Sequence, residues 1–149
     1  MKPTRTWVLI ADGARARILQ QLGPGRDLTA IDGMVFHGDH AATHDLVSDR
    51  EGRIFSSHGP GRSAYEPHTD PHRDLKAKFA HQLAEVLAHG LKHNAYDHLV
   101  IVAAPATLGD LRTAISEHVR AKIVGELAQD LTNTPNGEVA THLRDVLSI

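Results

Sequence analysis

Three arginines spread through a glycine-rich stretch are the residues best suited to act on a ligand. Arg50, Arg53 and Arg62 carry planar guanidinium forks that can grip phosphate oxygens in pairs. Gly52, Gly59 and Gly61 stand among them and let a backbone come close to a ligand. An RNA backbone or a small phosphorylated molecule fits this combination. The competing reading is a solvated surface in which the arginines pair with Asp45, Asp49 and Glu51. Exposed pairs of that kind contribute only about 0–1 kcal/mol and reveal little about function.

Histidine is abundant, at 12 residues, and half of these fall in or beside the same stretch: His37, His40, His44, His58, His68 and His72. His68 and His72 are four residues apart, with Asp70 and Asp74 nearby. Imidazole plus carboxylate suits zinc or nickel. No H-E-x-x-H framework fixes the geometry, so no metal is assigned and His68 with His72 is the pair to follow. His89 and His93 share the same spacing on a predicted helix, where they could pair or simply be solvated. Ser48, Ser56, Ser57 and Ser63 accompany Asp45 and Asp49, but no Gly-x-Ser-x-Gly elbow positions a nucleophile. Ala104-Pro105-Ala106-Thr107 joins a predicted strand to a helix N-terminus, which can hold an anion. Thr107 as a simple N-cap is the plainer reading. No cofactor fingerprint is present.

These residues need elements to position them. Residues 6–11 form a near-continuous apolar run, which predicts a strand buried on both faces with Trp7 in or at the edge of the core. Asp12-Gly13 predicts a two-residue hairpin turn with positive φ at both positions. Residues 14–22 alternate and read as the return strand, and Gly23-Pro24-Gly25 is a turn. Residues 28–36 predict a third strand, bulged at Asp32-Gly33. Residues 37–69 are rich in Gly, Ser, Asp, Arg and His and read as a long, flexible loop. Asp70-Pro71 then opens a helix as N-cap and first residue. Leu75, Phe79, Leu83, Val86 and Leu91 give it one apolar face, and it should end near His93-Asn94. Residues 98–104 are a second buried strand, followed by a short helix from Pro105. Residues 121–127 suggest an edge strand, and Pro135 begins a last helix.

The order predicts an α/β fold in three layers. Its mixed five-stranded sheet runs 3-2-1-4-5, a ribonuclease-H-like order, with helices on both faces and the long loop before the first long helix. One domain spans residues 1–149, long enough to bury a core without staples. There is no cysteine, which excludes disulfides and thiolate chemistry. Net charge is -2, unlike a strongly basic nucleic-acid binder. No stretch approaches the roughly 20 apolar residues of a membrane span, and no signal-peptide core precedes Asp12, so a cytoplasmic protein is expected. The strand at 14–22 or the one near Lys122 could offer an edge to a second copy.

The ordered set Trp7-Val8-Leu9-Ile10-Ala11-Asp12-Gly13-Ala14-Arg15-Ala16-Arg17, Leu46-Val47-Ser48-Asp49-Arg50, Gly59-Pro60-Gly61-Arg62, Glu66-Pro67-His68-Thr69-Asp70-Pro71-His72 and Asp130-Leu131-Thr132 resembles the bacterial host-attachment protein family. Its members are described as needed for attachment to host cells, a phenotype that implies no reaction. The family in turn resembles the middle domain of archaeal and eukaryotic peptide-chain release factors. There a Gly-Gly-Gln loop ahead of a long helix enters the peptidyl-transferase centre and assists ester hydrolysis. Here His58-Gly59-Pro60-Gly61-Arg62-Ser63-Ala64 takes the corresponding place. Arg62 stands where the glutamine would be, and a guanidinium brings fixed charge without the amide geometry. The resemblance therefore implies affinity for ribosomal or transfer RNA without peptidyl-tRNA hydrolysis.

Three functions follow as expectations. The first is a non-enzymatic RNA- or ribosome-associated module acting through Arg50, Arg53, Gly59, Gly61 and Arg62. The second is a hydrolase of an ester or phosphate, dependent on the loop or on a metal at His68 and His72. The third is an adhesin or interaction protein.

Overall fold

A computed structural model describes residues 3–38 and 71–144. Among these residues, five strands form one sheet: β1 (Arg5–Ala11), β2 (Arg15–Leu22), β3 (Leu28–His37), β4 (His98–Ala103) and β5 (Ile123–Leu127). The helices are α1 (Pro71–Lys92), α2 (Pro105–Ala114), the single turn α3 (Glu117–Arg120) and α4 (Asn136–His142). The strand order is β3-β2-β1-β4-β5, as the element pattern predicts. β1 pairs antiparallel with β2 and parallel with β4, and β4 pairs parallel with β5.

The apolar runs of β1 and β4 lie at the centre because both faces of the sheet are covered. On one face, Trp7, Leu9, Leu99 and Ile101 pack with Phe79, Leu83 and Leu87 of α1 and Leu108 and Leu111 of α2. On the other, Val8, Ile10, Val100 and Val102 pack with Leu131, Val139 and Leu143. At 7 residues α4 is too short to persist alone. Val139 and Leu143 are fully buried, each contributing about 1.5–3 kcal/mol, and that burial holds the helix in place.

The α1 stripe is shifted from the predicted one. Phe79, Ala80, Leu83, Ala84, Leu87 and Gly90 are buried, while Leu75, Val86 and Leu91 are half-buried along its margins. The helix ends as predicted. Asn94 adopts φ 55, Ala95 N donates to Gly90 O at 2.8 Å, and Asn94 N donates to Leu91 O at 3.0 Å. This pair of bonds is a Schellman motif with Asn94 in the left-handed position.

Four local expectations are corrected. Neither Asp12 nor Gly13 has a positive φ; among the described residues that region is occupied by Gly23, Gly25, Gly33 and Asn94. The turn closes instead through the Asp12 side chain, which accepts from Ala14 N and Arg15 N. Thr107 is not an N-cap: Ala104 caps α2 without a side-chain hydrogen bond, and Thr107 is buried inside the helix. The fifth strand starts at Ile123, because Ser116 accepts a hydrogen bond from Val119 N and caps α3 just before it. β2 is an interior strand, and among the described residues the edge strands are β3 and β5.

The predicted bulge in β3 is present. Pairing jumps from Arg17↔Val35 to Leu19↔Ala30, and Gly33 takes φ 79 within the extra residues.

Candidate functional site

Asp12 follows β1 directly, at the carboxyl ends of the two central parallel strands. Ligands of open α/β sheets gather at this end, because loops diverge there. Asp12 Oδ1 accepts from Ala14 N at 2.8 Å and Arg15 N at 2.7 Å, and Asp12 N donates to Arg15 O. A carboxylate thus does the work that positive-φ residues do in a tighter hairpin. Arg15 Nη2 donates to Asp12 Oδ2 at 3.1 Å. Burial pushes the Asp12 carboxyl up, but the two backbone donors and the Arg15 guanidinium outweigh it and hold the carboxyl below its ordinary value.

A segment from the far end of the chain closes over this turn. Thr132 Oγ1 donates towards Asp130 Oδ1 and lies 3.3 Å from Asp12 Oδ2. Arg17 reaches across from β2 and donates to the carbonyls of Thr132 (2.9 Å) and Thr134 (2.5 Å) and to Asn136 Oδ1 (2.8 Å). Arg15 Nη1 approaches Asn133 Oδ1 at 3.5 Å. Beside this clamp lies a cavity of about 170 Å³, lined by Arg15, Arg17, Phe36, His37 and Thr132 among others. Two of the sequence segments that carry the family resemblance, Asp12 through Arg17 and Asp130-Leu131-Thr132, therefore form one constellation.

The chain on either side of residues 39–70 is fastened to the same turn. Gly38 N donates to Ala14 O at 2.7 Å. At the start of α1, the stem of Lys76 lies so close to Gly13 that a Cβ there would sit 2.8 Å from its Cγ. Arg73 pairs with Asp110 of α2, which ties the first turn of α1 to its neighbour.

Arg50, Arg53, Gly59, Gly61, Arg62 and His68 lie outside the described residues, as does the loop expected at 37–69 apart from its first two residues, of which His37 belongs to β3. His72 is exposed in the first turn of α1. Among the described residues no group of three or more His, Cys, Asp or Glu side chains is placed to hold a metal ion. No helix among them is long and apolar enough to cross a membrane.

The Arg17 clamp is not legible in the sequence. Alternation along residues 14–22 shows a strand but not a partner, and the acceptors of Arg17 are 115 to 119 residues away. The only available signal was that the two partner segments both belong to the motif set.

Fold and site together define an α/β domain with a mixed sheet of order 3-2-1-4-5, whose carboxyl end is closed by an aspartate-arginine-threonine clamp. The chain belongs to the host-attachment family: the family model described as a protein required for attachment to host cells matches residues 7–143. Comparison with curated proteins finds no match.

Proposed function

We propose that the protein is a non-enzymatic module that binds RNA, of the ribosomal or transfer type, through Arg50, Arg53 and Arg62, with Gly59 and Gly61 allowing close backbone approach. Attachment to a host is then an indirect consequence. One observation carries this reading. The chain flanking the arginine-glycine stretch is fastened on both sides to the Asp12-Gly13-Ala14 turn, at the ligand-binding end of the sheet. Arg15 and Arg73 at that end are already paired with Asp12 and Asp110. We assign the contact with a phosphate backbone to Arg50, Arg53 and Arg62.

Cosedimentation with ribosomes across a salt series tests this. Binding should weaken steeply with salt, and Arg53→Ala with Arg62→Ala should flatten the slope by roughly 0.7 for each lost contact to a single strand. Cosedimentation unchanged by the double substitution removes the assignment. Turnover of generic ester or phosphate substrates by the untagged protein would favour the hydrolase reading instead.

A further inference from the structure

The far end of α1 carries a second arrangement that the RNA reading does not use. His89 lies in the last turn of α1, and His93 is the first residue beyond the helix; both are exposed. Their rings face each other with centroids 4.2 Å apart and planes tilted by 38°. Both line a groove of about 660 Å³ between α1 and β3, floored by Trp7, Met34, Phe36 and Val86.

We propose that His89 and His93 form a two-imidazole site for a divalent transition-metal ion of the zinc or nickel class, with its remaining coordination positions open to the groove. His89 and His93 are four residues apart, the spacing that helical zinc sites use, and their rings lie side by side at 4.2 Å. The tautomer is suitable. His93 Nδ1 lies 2.9 Å from the carbonyl oxygen of His89. A carbonyl only accepts, so Nδ1 carries the proton and the lone pair resides on Nε2. Such a bond also fixes the ring, as outer-shell partners do for metal-ligating histidines.

The backbone favours a cation at this point. The site sits at the carboxyl end of a 22-residue helix, where the aligned peptide dipoles place partial negative charge. The Schellman turn at Asn94 holds His93 there. Glu85 lines the same groove and adds negative charge. No third His, Cys, Asp or Glu among the described residues completes a ligand set, so water or an exogenous donor fills the other positions. Neutral imidazole suits zinc, nickel and copper better than magnesium or calcium.

The chain contains its own reporter. Trp7 is the one tryptophan of the sequence and lines the groove beside the pair. Nickel(II) chloride, titrated into the untagged full chain, should quench its fluorescence saturably with one ion per chain. Loss of an outer-shell partner alone costs about 10–100-fold in affinity, so His89→Gln or His93→Gln should weaken binding at least about tenfold. His68→Gln with His72→Gln should leave it unchanged. In the unaltered protein, nickel should broaden the ring-proton resonances of His89 and His93 ahead of the other imidazoles. Absence of saturable quenching, its persistence in the folded His89→Gln/His93→Gln variant, its loss in the His68→Gln/His72→Gln variant, or broadening that begins elsewhere would each overturn the proposal.

Discussion

Arg17 donates from Nη1 to the carbonyl oxygen of Thr132 at 2.9 Å, bridging 115 residues of sequence. With its bonds to Thr134 O and Asn136 Oδ1, one guanidinium serves three acceptors that no helix or strand satisfies. Partial burial lowers the Arg17 pKa from its ordinary value, but the group stays charged at neutral pH. Lysine offers no planar fork and cannot span the same acceptors. Arg17→Lys should therefore destabilise the fold by about 2 kcal/mol, within the range for hydrogen bonds from a charged group. Urea denaturation checks this. A midpoint unchanged from the parent protein would show that the clamp contributes nothing to stability.

The Asp12 carboxylate gives stability a pH dependence of known sign. Its pKa lies below the ordinary value of 3.8 in the folded chain. The contribution is therefore fully present above the unfolded value of about 3.9 and is lost as pH falls through the folded value. Asp97, which accepts from Arg5 N and is lowered chiefly by that bond, adds to the same acid window. Below about pH 4 the parent protein should lose stability faster than Asp12→Asn. At neutral pH the substitution should cost about 1–3 kcal/mol, because the Ala14 and Arg15 donors lose their charged acceptor. Thermal melts from pH 3 to pH 7 separate the two effects.

The architecture is legible in the sequence because each buried element carries its own period. The continuous apolar runs of β1 and β4, the alternation of β2 and the spacing of Phe79, Leu83 and Leu87 are local patterns with a single good packing solution. The Gly33 bulge is legible for the same reason, since glycine tolerates the φ that a bulge demands. Interactions that join distant segments leave no such trace. Asp12-Gly13 promised a glycine-type turn, yet the Asp12 side chain supplies the closure and Gly13 serves to admit Lys76. Thr107 looked like a cap, but burial against the core outweighed that local preference. Of the site, the motif residues were visible and their convergence was not.

Trp7 and Gly90 are in closest approach where α1 crosses the start of β1. A Cβ on Gly90 would lie 2.6 Å from Trp7 Cη2, 2.8 Å from Cζ3 and 3.2 Å from Tyr96 Cε1. Two buried aromatic rings cannot rotate away as a lysine stem can. The Trp7 and Tyr96 rings themselves pack together, with centroids 4.6 Å apart and planes tilted by 33°. Gly90→Ala should thus cost about 1–3 kcal/mol through overpacking, despite the better helix propensity of alanine. Gly13→Ala, which meets only the flexible Lys76 stem, should cost less. Tryptophan fluorescence during denaturation follows both variants, and equal costs would contradict this difference.

Tyr96 supplies the corresponding test at alkaline pH. Its hydroxyl is buried and donates to Leu87 O at 2.7 Å, tying the β4 approach to α1. Burial raises its pKa from 10.0 to about 12. The neutral phenol is therefore the form the fold prefers. Its contribution is complete below pH 10 and fades as pH rises towards 12. Tyr96→Phe keeps the ring against Trp7 but leaves the Leu87 carbonyl without this donor, at a cost of about 1 kcal/mol near neutrality. Between those two pH values the parent protein should lose that advantage, and the two stability curves should converge. Curves that stay parallel across the interval would show that the buried hydroxyl does not govern alkaline stability.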